Sequence, residues 1–331
     1  MRARWVAILA LAALAPICAE FLVAYLDITG DLLASLFAVV FFMPLYGGAA
    51  LLVREVSVRT GRGWRGRLLL AAAFGTAMTG LIDLSLWMPE HPEIDFWEDL
   101  QATTYIPFLG FSGYALLTWV LGHVVMSVAA PLAVVEAASP RLRDRRWLGP
   151  VGITLWSLGF LTIATMIHVG ERDDYDVHVA WFEYAGAAAG VVLLVALAFS
   201  PWGRPVPEWP GRRVPQLVWI GLLGGAAMTW MDFTPFSWLG IGLLVLVAVG
   251  VAWLLLRWAA SPDWGWAQVA ALAWGTLFIH TAVGFASPVP VGVSVTAKVL
   301  HSVVLLALIL GIGWILRRRV GRPGPDQEMV G

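Results

Sequence analysis

Charge is scarce in this chain, and the scarcity excludes most soluble architectures. Only 13% of the 331 residues are Asp, Glu, Lys or Arg, while 60% are hydrophobic. A soluble domain is about half apolar and about a quarter charged. Cysteine occurs once, at Cys18, which excludes an internal disulfide and a cysteine-ligated metal cluster. Lysine also occurs once, at Lys298, and arginine supplies the rest of the 21 basic residues. That bias points to a high-GC genome rather than to a function. The sequence has no Walker-type phosphate loop, no His-x-x-x-His pair and no Glu-Glu pair. An ATP-driven machine is therefore excluded unless a separate subunit supplies the motor. The formal net charge of −1 leaves no basic face for a nucleic acid, and no cofactor motif is present.

What the chain does have is long apolar runs, at about 5–26, 32–53, 68–88, 107–137, 148–168, 179–200, 215–232, 236–256, 265–286 and 293–316. Each approaches the roughly 20 residues that a helix needs to cross a bilayer. They are too long and too uniformly apolar for the alternating strands of a membrane barrel. A helix satisfies its backbone polar groups internally, which hydrocarbon demands. The expected fold is an all-α transmembrane bundle of about ten spans, one domain over 1–320, followed by a short polar tail over 321–331.

The charges sort by side. Arg2 and Arg4, then Arg54, Arg59, Arg62, Arg65 and Arg67, then Arg141, Arg143, Arg145 and Arg146 occupy alternate connections. Arg204, Arg212, Arg213, Arg257, Arg317, Arg318, Arg319 and Arg322 continue the pattern. The intervening connections are acidic, with Asp27 and Asp31, then Glu90, Glu93, Asp95, Glu98 and Asp99, then Glu171, Asp173, Asp174 and Asp176. Basic loops stay on the cytoplasmic side. Both termini are therefore expected in the cytoplasm of a bacterium, which an even number of crossings requires. The arginine-rich loops are expected to touch anionic lipid. Trp64, Trp87, Trp97, Trp147, Trp181, Trp202 and Trp209 fall near span ends, as interfacial aromatics do. The first run is read as a retained helix, with a cleaved signal peptide as its rival. The acidic, aromatic loop 89–106 either stays solvated or folds over the outer face as a cap.

Ionisable groups inside a span cost several kcal/mol and need a reason. Counting from the helix ends puts Glu20, Asp83, His280, Lys298 and His301 at a similar depth in the outer half. His123 lies near mid-depth, and Glu183 and Asp232 lie nearer the outer surface. Asp83 shares a helical face with Thr79 and Thr76, His280 with Thr276, and His123 with Ser127. Two readings compete. Lys298 is ion-paired with Asp83 or Glu20 for purely structural reasons, or the five groups line an outward-facing polar cavity for a solute, ion or proton path. In the second reading Asp83 and Glu20 carry protons or cations, Lys298 is the counter-charge, and His280 and His301 shuttle protons. Pro44 and Gly47-Gly48 are expected to break the second helix.

Other readings are weaker. A metal held by Glu20, Asp83, His280 and His301 would draw on four helices, with Lys298 repelling the cation. Gly110-Phe111-Ser112-Gly113 has the letters of the rhomboid protease motif, which leaves Ser112 as a candidate nucleophile for an intramembrane hydrolase. A non-catalytic membrane partner or assembly factor would use the loop 89–106, and a homo-oligomer or an unidentified membrane partner stays open. Gly186-x-x-x-Gly190 and Gly47-Gly48-Ala49-Ala50 read as close-packing faces.

The segment Pro44-Leu45-Tyr46-Gly47-Gly48-Ala49-Ala50-Leu51-Leu52-Val53-Arg54-Glu55, continuing through Thr60-Gly61-Arg62-Gly63-Trp64 to Ala71-Ala72-Ala73-Phe74-Gly75, resembles an uncharacterised group of multi-pass proteins of high-GC actinobacteria. The resemblance spans roughly the first 150 residues. It implies topology and source but no activity. The group carries an acidic residue or pair where this chain has Met78-Thr79.

Overall fold

The computed structural model describes residues 2–91, 94 and 96–320. The acidic loop residues Glu93 and Asp95 and the tail 321–331 lie outside the described residues. About three quarters of the chain is helical, in eleven helices with almost no strand, so the fold is an all-α bundle.

In chain order the helices are α1 Arg2–Phe21, α2 Leu32–Thr60, α3 Trp64–Ala77 with a π-helical turn Met78–Ile82, and the short α4 Trp97–Ala102. Then follow α5 Gly113–Ala138, α6 Pro150–Asp174, α7 Trp181–Phe199, α8 Leu217–Phe233, α9 Trp238–Ala259, α10 Trp266–Val283 and α11 Val295–Val320. Among the described residues, eight of these are long and apolar enough to cross a membrane, where about ten were expected. The two that fall short have physical causes. In α8 the helix closes at 17 residues. In α3 it begins early, taking in Arg65 and Arg67, and ends at Ile82, because Leu84 is left-handed with φ 56°.

Caps set several of the boundaries. Asp31 Oδ1 accepts from the Ala34 N–H at 2.9 Å, Ser112 Oγ from Ala115 at 3.2 Å, and Ser237 Oγ from Gly240 at 3.0 Å. Just before α5, Tyr105–Ile106 pairs antiparallel with Phe111–Ser112, so that helix starts later than the apolar run from 107 suggested. The second helix runs past 53, carries Arg54, Glu55 and Arg59, and stops at the left-handed Gly61, φ 64°. Pro44 does not break it. Met43–Gly47 instead widens into a π-helical turn.

The core is built by α1, α2 and α5, whose Ile8, Leu11, Leu45, Leu51 and Leu132 are buried. Gly47 lies against the Ala12 backbone with no room for a Cβ, and Gly224 and Gly275 do the same between α8 and α10. The pair expected in α7 behaves otherwise. Gly186 faces open space, and Gly190 only touches Thr76. The peripheral helices α6, α7 and α9 present Leu155, Val192 and Leu239 outward, each more than half exposed. An apolar exterior of this extent is compatible with a multi-pass membrane protein, since lipid, unlike water, solvates it without penalty.

Candidate functional site

Four helices of the bundle each depart from α geometry once. The π-helical turns are Ile17–Phe21 in α1, Met43–Gly47 in α2, Met78–Ile82 after α3, and His123–Ala129 in α5. A π turn inserts one extra residue into the spiral, and such turns collect at functional sites. Here all four open onto one cavity of about 280 Å³. They bring Glu20, Tyr46, Thr79, His123, Met126 and Ser127 to its wall. Two more backbone departures flank it. Ala24 and Leu84 are left-handed, with φ 57° and 56°, and the turns they make deliver Tyr25, Asp83 and Ser85 to the lining. Non-glycine residues in that region cost of order 1–3 kcal/mol each and persist where the surroundings over-determine them.

Within the cavity, the Tyr25 and Tyr46 hydroxyls both donate to the Glu20 carboxylate, one to each oxygen. Asp83 Oδ1 accepts from the Ser85 N–H at 2.9 Å. His123 Nδ1 lies 3.0 Å from Ser127 Oγ, while its ring stacks on Tyr46 at 6.0 Å and meets Phe74 edge-on at 5.6 Å. On the far wall His280 Nδ1 pairs with Asp232 Oδ2 at 3.1 Å. Trp119 of α5 and Trp97 of α4 close the space with Met126, Met228 and Met231. Their rings lie 4.9 Å apart. The Trp97 indole N–H donates to the Met88 carbonyl at 2.8 Å, and the Gln101 amide donates to Ser85 and Met88 carbonyls at 3.0 and 3.2 Å. The described part of the loop 89–106 is thus folded in: Trp97, Leu100, Gln101 and Thr104 are buried.

The candidates separate into two sets. Glu20, Asp83, His280 and His123 share this cavity, with Asp232 reached through His280. Lys298 and His301 are elsewhere. The Lys298 ammonium is buried and donates to Ser287 Oγ and the Pro288 carbonyl, both at 2.7 Å, and to the Ser287 carbonyl. It pins the start of α11 to the preceding link and is not the counter-charge of Asp83 or Glu20. His301 stacks on Phe21 at 6.5 Å and accepts from the Gly30 N–H at 3.4 Å. Glu183 caps its own helix, accepting from the Ala180 N–H at 2.7 Å. Ser112 is wholly buried as the cap of α5, and its hydroxyl also meets the Leu100 carbonyl at 3.0 Å and Thr104 Oγ1 at 2.8 Å. Among the described residues no three His, Cys, Asp or Glu side chains are grouped to hold a metal ion.

Sequence reasoning missed Tyr25, Tyr46, Trp97 and Trp119 at the cavity. It also misread the basic end of the bundle. Arg54, Glu55 and Arg67, expected in a lipid-facing loop, are buried with Glu136. Arg54 Nε meets Glu136 Oε1 at 2.9 Å, and Arg67 Nη1 meets Glu136 Oε2 at 2.5 Å. The second guanidinium nitrogen of Arg54 donates to the carbonyls of Leu142, Arg143 and Arg145 at 2.9, 2.8 and 3.0 Å, and its plane covers Trp147 at 3.5 Å. Glu55 accepts from the Trp147 and Leu148 N–H groups at 2.9 and 3.2 Å and from Arg59 at 2.9 Å. In the link itself, burial holds the Arg143 guanidinium below its ordinary pKa against the opposing pull of Glu136 and Asp144. Tyr46 and Arg54 stand about 12 Å apart along α2 by helical rise. The bundle is thus polar and hollow toward one end and clamped by ion pairs at the other.

No known family matches the chain, and neither a curated protein nor a solved structure is similar to it.

Proposed function

We propose that this chain carries a small solute or ion across the cytoplasmic membrane of a high-GC actinobacterium, through the cavity, with Glu20 and Asp83 as the groups that exchange protons or bind the cargo. One observation carries the reading. Two carboxylates line a polar cavity among apolar helices, and the described residues lining it include no lysine or arginine. Asp232 has His280 as its partner, whereas among the described residues Glu20 is held by two tyrosine hydroxyls and Asp83 by the Ser85 N–H. Carboxylates with no fixed cation beside them leave room for a mobile one. The ion clamp of Arg54, Arg67 and Glu136 closes the basic end, so the cavity faces outward if the arginine-rich side is cytoplasmic. Lipid contact then falls to the arginines outside the clamp. The hydrolase alternative gains nothing, because the Ser112 hydroxyl is committed to capping α5 and, among the described residues, bonds to Thr104, Leu100 and Ala115 and to no histidine.

Proteoliposomes loaded with a pH-sensitive dye test this. Proton movement is followed after a potassium diffusion potential, a sodium pulse or an ammonium-salt pulse. Movement above that of protein-free vesicles under at least one condition is expected, and a fall of about tenfold or more in Glu20→Gln. Vesicles that behave like protein-free ones under every condition would refute the reading.

A further inference from the structure

The wall of the cavity says more about its occupant than its charge does. An inorganic cation needs several hard ligands converging on one point, six to eight oxygens for calcium and octahedral oxygens for magnesium. The described residues offer no group of three acidic, histidine or cysteine side chains so arranged. At about 280 Å³ the space is also far larger than one dehydrated metal ion, being several times the roughly 30 Å³ that one water occupies. Besides the two carboxylates, the lining includes the aromatic and thioether side chains of Tyr25, Tyr46, Trp97, Trp119, Met126 and Met228. Tyrosine and tryptophan faces attract a diffuse positive charge and tolerate the alkyl groups around it. Methionine packs against irregular apolar shapes. A proton alone would need neither the volume nor the aromatic wall.

From this we infer that the cargo site takes a small organic ammonium ion, its charge set against Glu20 and Asp83 and its carbon skeleton against the tryptophans and methionines. This assignment rests on the transport reading above and narrows it to a substrate class.

Isothermal titration calorimetry on the purified full chain in detergent micelles decides it. The probes are tetramethylammonium, choline and ethylammonium chlorides. The comparators are 3,3-dimethyl-1-butanol (the uncharged isostere of choline), sodium chloride and manganese chloride. Saturable binding of at least one ammonium is expected, weakened about tenfold or more in Glu20→Gln and in Trp119→Leu, with no saturable binding of the alcohol. The wild-type comparison of choline with its isostere stands even if a variant fails to fold. Equal binding of choline and the alcohol would overturn the assignment. So would failure of all three ammonium salts, or binding of sodium or manganese in their place. If no ammonium binds but the proteoliposomes still move protons, the substrate class falls and the transport reading stands. If an ammonium binds saturably but no condition moves protons, the site is a receptor for the ion and the transport reading falls.

Discussion

Glu20 sits between two phenols, and that geometry makes it sensitive to single atoms. Tyr46 is buried and its ring also stacks on His123, so Tyr46→Phe removes one donor to a charged acceptor while leaving the packing. Such a bond contributes about 1.5–3 kcal/mol. Thermal unfolding in micelles should show a loss in that range, and no change would mean that the Tyr46 hydroxyl does not hold Glu20. Tyr25 is half-exposed, and the same substitution there should cost less. Ser112 offers a contrasting case. Ser112→Ala removes a helix cap and should cost about 1 kcal/mol. Wild-type protein should give no labelling by a serine-directed fluorophosphonate. Labelling lost in Ser112→Ala would restore the hydrolase alternative.

Helices show where the sequence was legible and where it was not. Hydropathy places most helices near the apolar runs of the sequence, because burial in lipid and burial in protein both demand long apolar stretches. Depth along an axis can be counted from sequence, since each residue adds about 1.5 Å, and that count groups Glu20, Asp83 and His280, which share the cavity, with Lys298 and His301, which do not, while setting His123 apart near mid-depth. Azimuth is another matter. One inserted residue turns everything beyond it by about 100°, and four helices carry such an insertion. Lys298 and His301 make their contacts with Ser287 and Pro288 and with Gly30 and Phe21 instead, and no pattern of residue types announces that. Arg54 and Arg67 were misplaced for a related reason. Arginine near a span end reads as interfacial, whereas a glutamate on a distant helix, Glu136, lets it be buried. Glycine faces follow the same logic of direction. Gly275→Leu should drive α8 from α10 and lower the unfolding temperature sharply, while Gly186→Leu, with open space around it, should stay within about 0.5 kcal/mol of wild type. Equal effects in the two variants would show that the α8–α10 contact is not made as described.

Taken whole, the molecule is asymmetric from end to end. A greasy exterior surrounds a core that is hollow and acidic toward one end and clamped at the other by Arg54, Arg67 and Glu136. Glu136→Gln leaves two buried guanidinium groups without their shared counter-charge. Breaking a buried pair from one side costs about 3–5 kcal/mol, so the purified variant should unfold or aggregate well below the wild-type temperature. A variant as stable as wild type would mean that the clamp contributes nothing to holding the basic end shut.

The most direct test of a cargo path through the cavity is charge movement on a solid-supported membrane after a jump in ammonium-salt concentration. Wild type and His301→Gln should give a transient current, and Glu20→Gln combined with Asp83→Asn should give none. A current that persists in the double variant at wild-type size would contradict any role for the cavity in transport.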